Sequence, residues 1–420
     1  MKNITLNLIQ RFLQFLARRK IKQSKPKIIV VSGSYGKTST KEAIYFVLSK
    51  NGLDVGKNWG NMNSVLGLPM AILGLKKYSF GIGLIGNIIH AKWNFLFYRL
   101  PEILVLEFGV DKPGEMSQLV SVAKPSIAVI TGISETHLEG LSDLATVKKE
   151  KNLLFKSLSK DDIAVKNASD ENSGDLSIND GVKEITFGGS NSAVFASNIK
   201  IETTGTKFIM NYFSEKISVN SKLIGQHIIN SLLIAAIVAG EFDISLGKIK
   251  ETLEEIKPEN GRMNPLKLRN GLVVIDDTYN SNPKSAEEAL ETLSKIEYSS
   301  RKVAILGNMN ELGDYAETGH RRVGKVAGMC CDFLIAVGDN AKYFIAGAKE
   351  SGMMADNIRQ FASTEELIKE INNIIKPDDM VLVKGSQNRV RLERLVKYLL
   401  NNEKLASEVL VRQDKKWENK

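Results

Sequence analysis

The chain has 420 residues, 43% hydrophobic and 25% charged, a balance that suits a soluble protein large enough for two or three domains. Its 33 glycines and 9 prolines exclude a collagen-like or low-complexity chain, and its two cysteines, the adjacent Cys330 and Cys331, build neither a disulfide framework nor a metal cluster, as suits a reducing cytoplasm. The net charge of +9 is concentrated: of 57 basic residues against 48 acidic ones, eight lie in the first 27 positions, which hold no acid, and the nearly neutral remainder gives no nucleic-acid signature.

The first element is a helix. Ile9, Phe12, Leu13 and Leu16 fall at i, i+3, i+4 and i+7 and are followed by Arg18, Arg19 and Lys20, the pattern of an amphipathic helix with a basic face. Two readings stand: a packing helix, or a helix over residues 1–22 that touches an anionic membrane surface. A signal peptide is disfavoured, because Arg11 interrupts the apolar run and no small-residue cleavage site follows.

Residues Lys27–Ser32 read as a buried strand that runs into Gly33-Ser34-Tyr35-Gly36-Lys37-Thr38 and then a helix from about Ser39. This is a phosphate loop for a nucleoside triphosphate. The glycines turn backbone amides toward phosphate oxygens and the helix N-terminus adds its dipole, while Lys37 reaches the outer phosphates and Thr38 ligates Mg²⁺. The longer form of the motif would begin with glycine at position 31, where this chain has Val31.

Further on, Lys76–Arg99 carries six aromatic residues and four basic ones without an acid, and reads as an exposed or interfacial insertion. The strand Ile103–Leu106 ends in Glu107, where an α/β nucleotide site places a metal-ligating carboxylate and where a surface or capping acid is equally at home. The run Lys148 to Phe155 reads, taken alone, as a solvated helix face. Leu223–Gly240 has no charged residue over 18 positions, but Gln226, His227, Asn230 and Ser231 within it favour a buried helix over a membrane span. The second half alternates strands (Leu272–Ile275, Val303–Leu306, Phe333–Val337, Met380–Val383) with helices such as Ser285–Lys295 and Glu365–Ile375.

In order along the chain, Ser32–Thr38, Gly60-Asn61-Met62-Asn63, Gly67-Leu68-Pro69, Glu107-Phe108-Gly109, Pro113-Gly114-Glu115 and His137-Leu138-Glu139-Gly140 resemble the Mur ligases. So do Gly225-Gln226-His227, Gly261-Arg262, Asp276 to Pro283, Gly307 to Gly313 and Lys384-Gly385-Ser386, and within the family the match is to the members that add D-alanyl-D-alanine. The resemblance implies an α/β protein: a P-loop central ATPase domain with a parallel-rich sheet, followed by a Rossmann-like C-terminal domain. The expected divisions are a basic helix at 1–26, a central domain at 27–257, a C-terminal domain at 258–403 and a charged tail at 404–420.

It also implies an ATP-dependent amide ligase working through an acyl phosphate, adding D-alanyl-D-alanine or an amino acid to a peptidoglycan precursor peptide. Lys37, Glu107, His137 and Lys151 are the implied catalytic positions. Thr38 and Glu107 would serve one Mg²⁺ and His137 a second, and Lys151 would be carbamylated by CO₂, with Lys148 and Lys149 as close competitors. ATP would be held by Gly33, Ser34, Tyr35, Gly36, Lys37, Thr38 and Ser39, with His227, Asn230, Arg262, Asp277 and Tyr279. Asn61, Asn63, Asn280, Asn282, Lys384, Gly385 and Ser386 would meet the substrates, and closure of two domains around ATP is implied. His137, His227 and His320 all fall in matched motifs, which favours functional roles for them.

The sequence departs from the family in four places. Gly33 arrives after 32 residues, leaving no room ahead of it for the usual uridine-diphosphate-binding domain. Ile228 stands where an Asn is usual, so that Asn230 would take over its contact. Asn308 replaces an acid, and Gln387 to Glu393 stretches a basic motif. These leave open a different or lipid-linked carboxylate substrate, or an ATP-binding subunit that needs a partner. The remaining expectations are a cytoplasmic monomer acting on small-molecule or peptide substrates, with peripheral contact to the inner face of the membrane through residues 1–22 and 76–99.

Overall fold

The computed structural model describes residues 2–60, 62–75, 83–135, 138–268, 271–387, 389–414 and 417. The chain divides into two compact units. One comprises Met1–Ser197, Ile209–Ser218 and Ile229–Leu253; the other comprises Asn198–Phe208, Val219–Ile228 and Glu254–Lys420. Both are α/β with parallel-rich sheets, as the sequence predicts.

The first sheet is built from β1 (Lys27–Ser32), β2 (Val55–Lys57), β3 (Ile103–Glu107), β4 (Ile127–Ile130), β5 (Ile163–Asn167), β6 (Lys183–Gly188), β7 (Val194–Glu202), β8 (Gly205–Tyr212) and β9 (Glu215–Ser221), in the spatial order 2-3-1-4-5-6-7-8-9. The strands β2, β3, β1, β4, β5 and β6 run parallel. Strands β1, β3 and β4 are buried along almost their whole length, which is why they read as unbroken apolar runs rather than alternating ones. The register sets Val31 opposite Glu107, so the chain leaves β1 for the glycine loop beside the carboxylate end of β3.

The helices of this unit are α1 (Lys2–Ser24), α2 (Lys37–Lys50), α3 (Gly67–Ile72), α4 (Gly83–Phe97), α5 (Glu115–Val122), α6 (Leu138–Leu141) and α7 (Leu144–Lys156), and then Glu171–Gly174 and most of Gln226–Gly240 and Leu246–Glu255. The apolar stripe of α1 packs into the unit and its basic face stays exposed. Leu13, Leu16 and Ala17 are buried in the core, with Ile9, Phe12 and Ile21 packed against it. The aromatic insertion expected over 76–99 is a helix from Gly83 to Phe97, and residues 76–82 lie outside the described residues. Gln226–Gly240 is a largely buried helix, and no helix among the described residues is long and apolar enough to cross a membrane.

The second sheet takes β10 (Asn264–Lys267), β11 (Val273–Asp277), β12 (Lys302–Gly307), β13 (Phe333–Val337), β14 (Ile358–Phe361) and β15 (Met380–Lys384) in the order 10-11-15-12-13-14. Five strands are parallel and β10 is antiparallel at the edge. Within the segment expected to be a tail from 404 onward, the first residues are folded instead. Glu403–Val409 is helical, Ala406 and Leu410 join the apolar core, and the Arg412 guanidinium pairs with Glu393 at 3.5 Å. Leu405, Ala406, Val409 and Leu410 supply the apolar spacing for this docking, which the flanking charges mask in the sequence.

Candidate active site

Strand β1 delivers the glycine loop to the top of the first sheet. Gly33 takes φ 147°, and a Cβ there would lie 2.1 Å from Thr131 Oγ1, so only glycine fits. Gly36 at φ 70° ends the loop and is the N-cap of α2, with no side chain capping the helix. The first-turn amides of α2, including those of Thr38 and Ser39, therefore sit where a helix N-terminus receives an anion. Ser34 braces the loop: its hydroxyl donates to Ser134 O and accepts from Ser134 N, both at 2.9 Å. The ring of Tyr35 lies against Gly132, where a Cβ would meet its hydroxyl at 2.1 Å.

Two ammonium groups converge on one backbone oxygen. Lys37 Nζ donates to Gly33 O at 2.8 Å, and Lys151 Nζ, reaching in from α7, donates to the same oxygen at 3.0 Å. Lys151 is buried, so the solvated face expected of that run belongs to its neighbours: Lys148 pairs with Asp175 at 3.0 Å and Lys149 is exposed. Burial, reinforced by the Lys37 charge and opposed by Asp111 and Glu150, lowers the Lys151 pKa from 10.5 to about 7. Glu150 is itself committed to α5, accepting Gly114 N at 3.0 Å and Met116 N at 2.8 Å.

Beside this pair, Glu107 ends β3 in contact with Thr38. Thr38 Oγ1 donates to Glu107 Oε2 at 3.0 Å, Asn63 Nδ2 donates to Oε1 at 2.9 Å, and Lys41 Nζ stands 3.9 Å from Oε2. Asn63, expected at the substrate, also orients the carboxylate through this hydrogen bond. Lys41 and Asn58 escaped the sequence reading altogether. Asn58 clamps the Glu107 backbone from both sides, accepting its N–H at 2.9 Å and donating to its carbonyl at 3.0 Å, and buried Lys41 donates to Asn58 O at 3.0 Å. A lysine one helical turn after Lys37, aimed at the same strand end, was the available signal. A hydroxyl and a carboxylate form a hard oxygen pair that suits Mg²⁺. Among the described residues no group of three His, Cys, Asp or Glu side chains is placed to hold a metal. Asn61 and His137 lie outside the described residues, as does the side chain of His227; Asn230 is half-buried on the helix Gln226–Gly240.

In the second unit, Asp277 at the end of β11 and Lys384 at the end of β15 form a buried ion pair at 2.6 Å, in register across the two parallel strands. Asp277 also accepts Met263 N at 3.3 Å, and Lys384 donates to Asn280 O at 3.1 Å. The Arg262 guanidinium stacks 4.1 Å from the Tyr279 ring centroid, and its buried Nε has no hydrogen-bond partner among the described residues. Arg412 lies over the same ring at 5.6 Å and donates to Thr278 O at 3.0 Å. Asp276 is fully buried and its pKa rises to about 7, because desolvation outweighs the hydrogen bonds from Thr278.

Several positions expected to meet substrate also make contacts within the fold. Asn282 caps the helix Pro283–Lys295, accepting Ser285 N at 2.9 Å in a reciprocal capping arrangement. Ser386 donates to Ser281 O and accepts from Asn310 N, both at 3.1 Å, while Gly385 packs beside Gly307. Asn280 is exposed. His320, which its motif placed among functional histidines, is a core residue: buried against Phe344, accepting Met309 N at 3.0 Å, its pKa lowered by desolvation to about 4.

Residues 31–239 match the Mur ligase middle domain, and residues 261–387 match the glutamate ligase domain that forms the Mur ligase C-terminal part. The UDP-N-acetylmuramoyl-tripeptide–D-alanyl-D-alanine ligase of Rickettsia prowazekii is 31% identical over 94% of this chain and 83% of its own length. The chain belongs to the Mur ligase family. Mur ligases are ATP-dependent acid–amino-acid ligases. The Escherichia coli enzyme of the same name as the Rickettsia one is 29% identical over 91% of this chain and 79% of that protein. MurF from Acinetobacter baumannii superposes with a TM-score of 0.80 at 25% identity, covering 94% of this chain and 81% of that one. The fold is shared as well with the Thermotoga maritima MurF ligase solved in complex with ADP, at a TM-score of 0.78 and 24% identity over 93% and 83% of the two chains.

Proposed function

We propose that this Mur ligase joins D-alanyl-D-alanine to the peptide of a peptidoglycan precursor, through an acyl phosphate formed with ATP. The observation that carries the reading is the pair of ammonium groups on Gly33 O beside the Thr38–Glu107 contact, in a chain 31% identical to a ligase of that name. A carboxylate oxygen of the peptide attacks the γ-phosphorus and ADP leaves. The amine then attacks the acyl carbon, the C–N bond forms, and the bridging oxygen departs with inorganic phosphate while the amine proton passes to solvent.

In this reading the amides of residues 33–39 and the Lys37 ammonium receive the triphosphate, since charge on the transferring phosphoryl group is what the protein must neutralise. Thr38 and Glu107 would hold Mg²⁺, which supplies further positive charge there, and by family resemblance His137 serves a second ion. Lys151 fits the family's carbamylated position: a pKa near 7 leaves a large share of its amine neutral at physiological pH, and the neutral amine is the form that adds CO₂. His227, Asn230, Arg262, Asp277 and Tyr279 are proposed for the nucleotide, and Asn61, Asn280, Lys384 and Gly385 for the substrates. The enzyme is taken to act as a cytoplasmic monomer.

One observation favours a second reading with a different amine. Asn308, which stands where relatives of this family carry an acid, is buried, accepts Asn340 N at 3.1 Å, and holds Ser386 N through its own carbonyl at 3.0 Å. Phosphate release from ATP with muramoyl tripeptide and a panel of amines separates the two. Release confined to D-alanyl-D-alanine is expected, while equal or greater release with a single amino acid would transfer the function to that amine.

A further inference from the structure

Packing α1 into the core removes the apolar stripe that a membrane-lying helix would use, yet it leaves a different surface exposed. Helix α4 buries Ala91, half-buries Asn94 and Phe95, and ties itself to the unit through Asn94 Nδ2, which donates to Leu73 O at 2.8 Å. Its opposite side carries Ile89, Trp93, Leu96 and Phe97 at i, i+4, i+7 and i+8, exposed by 64, 64, 68 and 67%. Trp93 and Phe97 stack with ring centroids 4.7 Å apart. Four large apolar side chains on one helical face are more than the single exposed residues a soluble surface normally shows.

Helix α1 lies next to this face. Lys20 Nζ donates to Phe95 O at 2.9 Å, and the Lys92 ammonium sits 5.4 Å over the Phe12 ring. The exposed side of α1 holds Leu8, Arg11, Phe15, Arg18, Arg19 and Lys22, positions that project within about one third of a turn of one another at 100° per residue. No acid occurs before Glu42, and none between Lys76 and Arg99. The outward faces of the two helices therefore combine aromatic and branched apolar groups with positive charge, and neither contributes a carboxylate.

From this we infer that the α1–α4 face docks on an anionic phospholipid bilayer, with Trp93, Leu96 and Phe97 inserted at headgroup depth and Arg11, Arg19 and Lys22 on lipid phosphates. Tryptophan at the water–hydrocarbon boundary and long basic side chains that keep their heads in water are the chemistry of an interfacial helix. Charge selects this occupant over a second copy of the chain, since two such faces brought together would oppose like charges, whereas anionic headgroups neutralise them. The inserting element is α4 rather than the apolar stripe of α1, and the inference stands apart from the identity of the ligase substrates.

Sedimentation of the full chain with vesicles tests it. Binding to phosphatidylcholine vesicles containing about 30 mol% phosphatidylglycerol is expected, at least about tenfold weaker on pure phosphatidylcholine. The triple variant Trp93→Ser, Leu96→Ser, Phe97→Ser should lose binding while keeping its melting temperature and ADP formation, because all three side chains are exposed. The variant Arg11→Gln, Arg19→Gln, Lys22→Gln should bind more weakly and lose the preference for anionic lipid. Failure of the full chain to bind anionic vesicles overturns the inference, as does undiminished binding by the Trp93 triple variant. A concentration-dependent dimer abolished by those three substitutions, without vesicle binding, would give the face to a second copy and overturn it too.

Discussion

In the first unit the ammonium of Lys151 is buried against a backbone carbonyl that Lys37 also occupies; in the second, the ammonium of Lys384 is buried against the carboxylate of Asp277. Both lysines are almost fully enclosed, but their electrostatic situations are opposite. The Lys384 pair is complete within the fold, whereas at Lys151 burial and a neighbouring cation push the proton off. A desolvated ammonium beside another cation is costly to keep charged and useful for chemistry, because the neutral amine it becomes is the form that adds CO₂. The difference teaches which buried lysine has its charge balanced within the fold and which does not.

Activity gives the largest contrast. Lys37→Ala and Lys151→Ala should each lower ADP formation by about 10²–10³-fold, as removal of an electrostatic stabiliser of a transition state does, with little change in melting temperature. Stability then divides the two lysines the other way. Asp277→Asn leaves Lys384 buried without its counter-charge and should cost about 3 kcal/mol in urea unfolding of the second unit. Lys151→Met should be neutral or stabilising; a loss equal to that of Asp277→Asn would erase the contrast. Removing the Asn282 cap with alanine should cost about 1 kcal/mol, marking that residue as structural if turnover is retained. The last effect is a slope. The folded Lys151 pKa of about 7 lies below its ordinary 10.5, so between those values the unfolded chain binds more protons and stability rises with pH. Melting curves from pH 7 to 10 should show that rise in the native chain and lose it in Lys151→Met.

Much of this was legible in the sequence where chemistry and secondary structure coincide. Strand Lys27–Ser32, its glycine turn and a lysine at the start of a helix admit one local geometry, and Phe333–Val337 was readable to the residue because a strand buried on both faces must be apolar throughout. Glu107 was found because a strand end fixes its position. The residues that hold it, Asn58 and Lys41, were not, since their contacts with it span 49 and 66 positions of sequence and no local pattern encodes such a contact. Lys151 shows the same limit. On a helix with four lysines, only tertiary packing tells the one buried lysine from its more exposed neighbours. His320 erred in the other direction: its motif is real, but the imidazole there holds the Met309 backbone.

The most direct test of the ligase account follows an oxygen atom. Muramoyl tripeptide labelled with ¹⁸O in the reacting carboxylate is turned over with ATP and D-alanyl-D-alanine, and the released phosphate is weighed by mass spectrometry. Transfer through an acyl phosphate predicts one ¹⁸O in each phosphate formed; unlabelled phosphate released with amide product would contradict it.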